Sequence, residues 1–77
     1  MSPRLPVVNS RQAIAALQRA GFVIERTAGS HHIMAHPEDP TCAVTVPFHG
    51  ARDLKPGTLR SIIRQARLTV DEFRALL

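Results

Sequence analysis

Apolar residues recur along this chain with two different periods. Ala13, Ile14, Leu17 and Ala20 fall three or four apart, and Leu59, Ile62, Ile63 and Ala66 sit at i, i+3, i+4 and i+7. Both spacings predict helices with one apolar face. Asn9 or Ser10 can cap the first helix, since Asn9 and Gln12 have capping-box spacing, and Gly21 offers a left-handed stop. Pro56 suits the first turn of the second helix, where its missing N–H has no helical partner. Arg60, Arg64 and Arg67 form a separate basic stripe on it. Thr69 and Glu72 repeat the capping-box spacing for a short final helix carrying Phe73, Leu76 and Leu77.

Between the helices the pattern shortens to strand-like runs. Phe22–Thr27, His31–His36 and Ala43–Val46 read as three strands, the last ended by Pro47. Ala28-Gly29-Ser30 makes the first turn. Pro37-Glu38-Asp39-Pro40 makes the second, a connection longer than the tight two-residue type. Met1–Val8, with Pro3 and Pro6, is an extended lead-in. No linker or repeat divides residues 1–77, so the expectation is a single α+β domain. Two helices on one face of a three-stranded antiparallel sheet would bury both apolar stripes and leave the other face open.

Composition narrows the partners. Ten Lys+Arg against six Asp+Glu give a net charge of +4 in 77 residues, which favours nucleic acid or an acidic protein. Cys42 is the only cysteine, so neither a disulfide within the chain nor a four-cysteine zinc site is available; a reducing cytoplasm fits. No apolar run approaches a membrane span, and the N-terminus lacks the apolar core of a signal peptide.

The chemistry concentrates at Gly29-Ser30-His31-His32-Ile33, a glycine turn opening into adjacent imidazoles. Histidine titrates near neutral pH, as acid–base chemistry on a phosphate requires. Adjacent strand residues face opposite sides, so only one of His31 and His32 can point at a given site. The bland reading is a pair of polar turn residues. Zinc is the chemical rival: His32 and His36 share a strand face, yet four residues separate them by about 13 Å, too far for a common ion. By the same reading His36 is a solvated strand-end residue, His49 is structural or exposed, and Cys42 is a small sheet residue.

Those motifs carry a resemblance. Gly29-Ser30-His31-His32-Ile33, Val46-Pro47-Phe48-His49 and the run from Leu54-Lys55-Pro56-Gly57 to Gln65-Ala66 resemble the HicA family of bacterial toxins. So does Leu5-Pro6-Val7 followed by the helix ending in Ala20-Gly21-Phe22. The resemblance spans nearly the whole chain. It implies a fold like that of double-stranded-RNA-binding domains, an endoribonuclease activity on mRNA, and a HicB-type antitoxin as partner. The family's catalytic histidine falls on His31 or His32, with His31 favoured because it directly follows Gly-Ser. Gly29 and Ser30 would shape the RNA site, and Lys55 and Arg60 would contact backbone phosphates. No metal or cofactor is implied. A non-catalytic RNA-binding module and a protein-interaction domain are the competing readings.

Two positions depart from the family pattern. Arg67 stands where a glycine commonly closes the helix, so that helix is expected to end slightly differently. Phe48 stands where a basic residue is common, replacing a phosphate contact with an aromatic face for a base.

Overall fold

Each helix begins and ends on local chemistry. In the computed structural model, which describes residues 4–77, Asn9 caps helix α1 (Ser10–Arg19). Its side chain accepts from the Gln12 N–H at 2.8 Å, and the Gln12 side chain accepts from the Asn9 N–H at 2.9 Å. Helix α2 (Pro56–Gln65) starts at Pro56, and helix α3 (Val70–Ala75) starts from a second capping box, Thr69 with Glu72. Of the lead-in, Met1, Ser2 and Pro3 lie outside the described residues.

Helices α1 and α2 close by the same device. At the end of α1, Gly21 (φ +99°) donates to the Gln18 carbonyl and Phe22 donates to that of Leu17, both at 3.0 Å. At the end of α2, Arg67 (φ +59°) donates to Arg64 at 3.0 Å and Leu68 to Ile63 at 3.2 Å. Both are Schellman motifs. The arginine therefore does not change how α2 ends, contrary to expectation. It accepts a left-handed backbone costing about 1 kcal/mol relative to glycine, and its side chain gains partners: Asp39 Oδ2 at 2.6 Å and Thr41 Oγ1 at 3.4 Å. Arg67 thus leaves the basic stripe, which keeps Arg60 and Arg64.

The sheet is antiparallel in the order β1-β2-β3, with β1 Val23–Ala28, β2 His31–His36 and β3 Asp39–Pro47. The α+β architecture of the double-stranded-RNA-binding type is present, with the additional short α3. Four strand boundaries move: β1 and β3 each end one residue later than expected, at Ala28 and Pro47, and both starts shift. Strand β1 begins one residue late because Phe22 is buried as the apolar anchor of the α1 cap. Strand β3 begins at Asp39 instead of Ala43, which shortens the expected four-residue turn to Pro37-Glu38. The register explains why proline does not prevent this: His36 pairs with Asp39 but Ala35 with Ala43, so Pro40 to Cys42 bulge out of the ladder. Asp39 holds the bulge by accepting from the Thr41 N–H at 3.2 Å and hydroxyl at 2.6 Å.

The Thr41 hydroxyl is the main reason the Asp39 carboxyl sits below its ordinary value of 3.8; desolvation opposes this, and the Thr41 N–H and Arg67 add to it. A depressed carboxyl favours folding above the unfolded value and loses that contribution as pH falls through the lower folded one. Asp39→Asn should therefore show a shallower loss of Tm than the parent between pH 4 and pH 2, read by thermal melts across that range. Equal slopes would show that the bulge does not depend on the carboxylate.

One continuous core lies between the sheet and the helices. Leu17, Met34, Val44, Val46, Leu59, Ile62 and Phe73 are its most deeply buried members. Both sheet edges are protected from strand addition. Strand β1 bulges at Glu25, beside the charged Arg26. On β3 the Thr45 N–H is taken by the Gln65 side chain at 3.0 Å.

Candidate functional site

The strand register separates the two candidate histidines. His32 pairs with Val46 and lies two residues from Met34; both neighbours are fully buried, so His32 is on the helix side. Its ring lies on Phe48, centroids 5.0 Å apart at 41°, and its shielded Nδ1 has no hydrogen-bond partner among the described residues. His31 is exposed on the opposite face, which no helix covers. Ala28 is its ladder partner on β1 and Pro47 its partner on β3. Neither has a side chain large enough to cover an imidazole.

The turn before it places His31 at the sheet's end. Gly29 has φ +58° and open space where a Cβ would be, so it serves the backbone alone. The Ser30 carbonyl accepts from the Phe48 N–H at 2.6 Å, tying this turn to the end of β3. Phe48 is thereby fixed onto His32, and that face of its ring is spent inside the protein.

Ser10 is a second tie that sequence reasoning passed over, having treated it only as a possible cap. Asn9 takes that role, and Ser10 is fully buried. Its hydroxyl donates to the Pro47 carbonyl at 2.7 Å and accepts from the His49 N–H at 3.3 Å. Helix α1 is thus pinned to the segment beside His31. Ser10→Ala leaves two backbone groups unpaired and should cost about 1–3 kcal/mol in urea unfolding; a cost below about 0.5 kcal/mol would mean that water replaces the hydroxyl.

The cationic candidates sit elsewhere. Lys55 caps α2 without a side-chain hydrogen bond and lines a hollow of about 340 Å³ with Pro47, His49, Arg52, Asp53 and Thr58. Pro47 is the one residue it shares with the surroundings of His31. Arg60 lines a different hollow, beside Arg4, Leu5, Pro6 and Pro56. The structure therefore brings Gly29, Ser30 and His31 together, and puts Lys55 and Arg60 in two separate hollows, of which only that of Lys55 reaches a neighbour of His31, Pro47.

His36 is not the solvated residue expected from its place at the end of β2. Its Nδ1 accepts from the Glu38 N–H at 3.2 Å, which leaves Nε2 to donate to the Ala20 carbonyl at 3.2 Å. Its ring meets that of Phe22 edge-on, centroids 5.1 Å apart. Both nitrogens are engaged in fastening β2 to the end of α1. Cys42 is buried, with its sulfur 3.5 Å from the Gln65 carbonyl.

The family model of the HicA toxin of bacterial toxin–antitoxin systems matches residues 10–68, from the first residue of α1 to the end of the second Schellman motif. No curated protein matches the chain.

Proposed function

The chain belongs to the HicA toxin family and is the toxin of a toxin–antitoxin system, and from this premise we propose that it is a metal-independent endoribonuclease of mRNA with His31 as general base. The observation that carries this reading is the position of His31: exposed, its imidazole free of hydrogen bonds to other described residues, at the end of a glycine turn on an uncovered sheet face. An imidazole so placed can approach a ribose, whereas the His32 ring is committed to Phe48.

In the proposed reaction the ribose 2′-oxygen attacks the adjacent phosphorus and its proton passes to the His31 imidazole. The bond from phosphorus to the 5′-oxygen breaks, and the departing oxygen takes a proton from water. One product ends in a 2′,3′-cyclic phosphate and the other begins with a 5′-hydroxyl; the imidazolium then returns its proton to solvent. Proton transfer by a positioned histidine contributes about 10²–10⁴-fold to such a step. Lys55 would steer the RNA backbone toward this end of the sheet, with Gly29 and Ser30 bordering the bound strand and Arg60 holding phosphates farther along it. The partner in this reading is a HicB-like antitoxin, and the place of action is the cytoplasm, where mRNA is available. No helix is long and apolar enough to cross a membrane among the described residues.

The purified chain, incubated with a single-stranded RNA in the presence of a chelator, should yield fragments with cyclic phosphate ends. A 2′-deoxy substitution at the cleaved position should block that cut. RNA bound with steep salt dependence yet left intact would identify a binding module instead.

A further inference from the structure

The open sheet face carries a cation that belongs to neither cationic hollow. Arg26 is the ladder partner of Ile33, and Ala28 that of His31. Ile33 and His31 lie two apart on β2, so Arg26 projects from the same face as His31 and stands diagonally across from it. Diagonal positions in an antiparallel pair are about 7–8 Å apart, within reach of long side chains. The rest of this face near them is small or apolar: Ala28, Ile33, Ala35, Ala43 and Pro47. Thr45, the partner of Ile33, adds a polar side chain there, and Glu25 sits next to Arg26 at the bulge, with no ion pair joining the two among the described residues.

Arg26 is exposed, and no hydrogen bond or ion pair to another described residue engages its guanidinium. Three other arginines are spent on the fold. Arg67 binds Asp39, Arg19 donates to the Leu76 carbonyl at 2.6 Å, and Arg74 donates to that of Arg4 at 3.0 Å. A free guanidinium beside an unshielded imidazole supplies what cleavage of a phosphodiester needs from two separate groups. One takes a proton, and the other meets the charge that builds on the non-bridging oxygens. The guanidinium fork matches two such oxygens at once, which an ammonium does not.

We propose that Arg26 is the phosphate-binding residue of the cleavage site, its guanidinium holding the non-bridging oxygens of the phosphodiester whose 2′-hydroxyl His31 deprotonates. This rests on the endoribonuclease reading and assigns the transition-state charge to the sheet, leaving Lys55 and Arg60 to the flanking RNA. The deeper consequence is a site built entirely on two adjacent strands, β1 and β2, across one turn.

The test is cleavage kinetics of the full chain on a short RNA with one scissile linkage. Arg26→Gln should lower kcat by about 10²-fold with a smaller change in KM, and should leave Tm unchanged because the side chain holds nothing in the fold. Arg26→Lys should recover only part of the loss, and guanidinium ion added to Arg26→Ala should restore part of the rate while doing nothing for His31→Ala. The charge-matched control Arg64→Gln, on the helix layer, should cleave within threefold of the parent. If His31→Ala is inactive but Arg26→Gln cleaves like the parent, the assignment of Arg26 is overturned and the ribonuclease reading stands. If the parent chain leaves RNA intact, both are overturned.

Discussion

Replacing His31 by alanine should reduce the rate of RNA cleavage by about 10²–10⁴-fold and leave the melting temperature of the protein unchanged. The His31 imidazole is exposed, makes no hydrogen bond to another described residue, and lies between Ala28 and Pro47, so its removal opens no cavity and orphans no polar group. Surface changes of this kind usually fall within about 0.5 kcal/mol. His32→Ala should behave in the opposite way. It removes a half-buried ring from Phe48 and should lower stability by about 1–2 kcal/mol, while cleavage per folded molecule is retained. The two variants, each compared by melt and by single-turnover cleavage, separate chemistry from packing. A His31→Ala protein that cleaves normally, beside a folded His32→Ala protein that does not, would transfer the catalytic role to the helix side of the sheet.

The largest loss of stability should come from Gly21→Ala, at about 2–4 kcal/mol, equivalent to a fall in Tm of about 10–25 °C for a domain this small. Two costs coincide there. The backbone has φ +99°, which a Cβ disfavours. That Cβ would also stand 2.7 Å from His36 Nε2. The ring cannot retreat cheaply, because Glu38 holds its other nitrogen and Phe22 meets its edge. Moving it breaks the hydrogen bond to the Ala20 carbonyl that joins β2 to the end of α1. Gly29→Ala is the internal comparison: its φ is also positive, +58°, but nothing lies within 4 Å of the added carbon, so it should cost only about 1 kcal/mol. Urea unfolding of both variants, with Gly21→Ala repeated in a His36→Ala background, isolates the contact term. Equal losses at the two glycines would mean that the backbone angle, and not His36, sets the requirement at position 21.

Much of this was legible in residue order. Helical periodicity, the two capping boxes and the strand His31–His36 depend on neighbours within a turn of chain, and all three stand as read. Legibility failed where a residue's partner is distant in sequence. Nothing near Asp39 announces that Arg67 will reach it from the end of α2, or that Thr41 will stabilise a bulge permitting a proline within β3. Ser10 reads as one of two possible caps until Pro47 and His49 appear beside it. His36 reads as solvated until Ala20 and Phe22 close over it.

The candidate site divides along the same line. Residue order alone marked the turn, the paired imidazoles and the rule that only one of them can face a given partner, because strand alternation is a local property of the backbone. Tertiary structure decided which one. Burial of Met34 and Val46 against the helices commits alternate residues of β2 to the core and so sends His31 outward. It also decided which cations stand near His31. Arg26 comes to it through the β1–β2 register, while Lys55 stays in the helix layer and Arg60 is carried away beside the N-terminal segment. Charge can be counted along a chain, but its distance from an imidazole is set by how the strands pair and which face the helices cover.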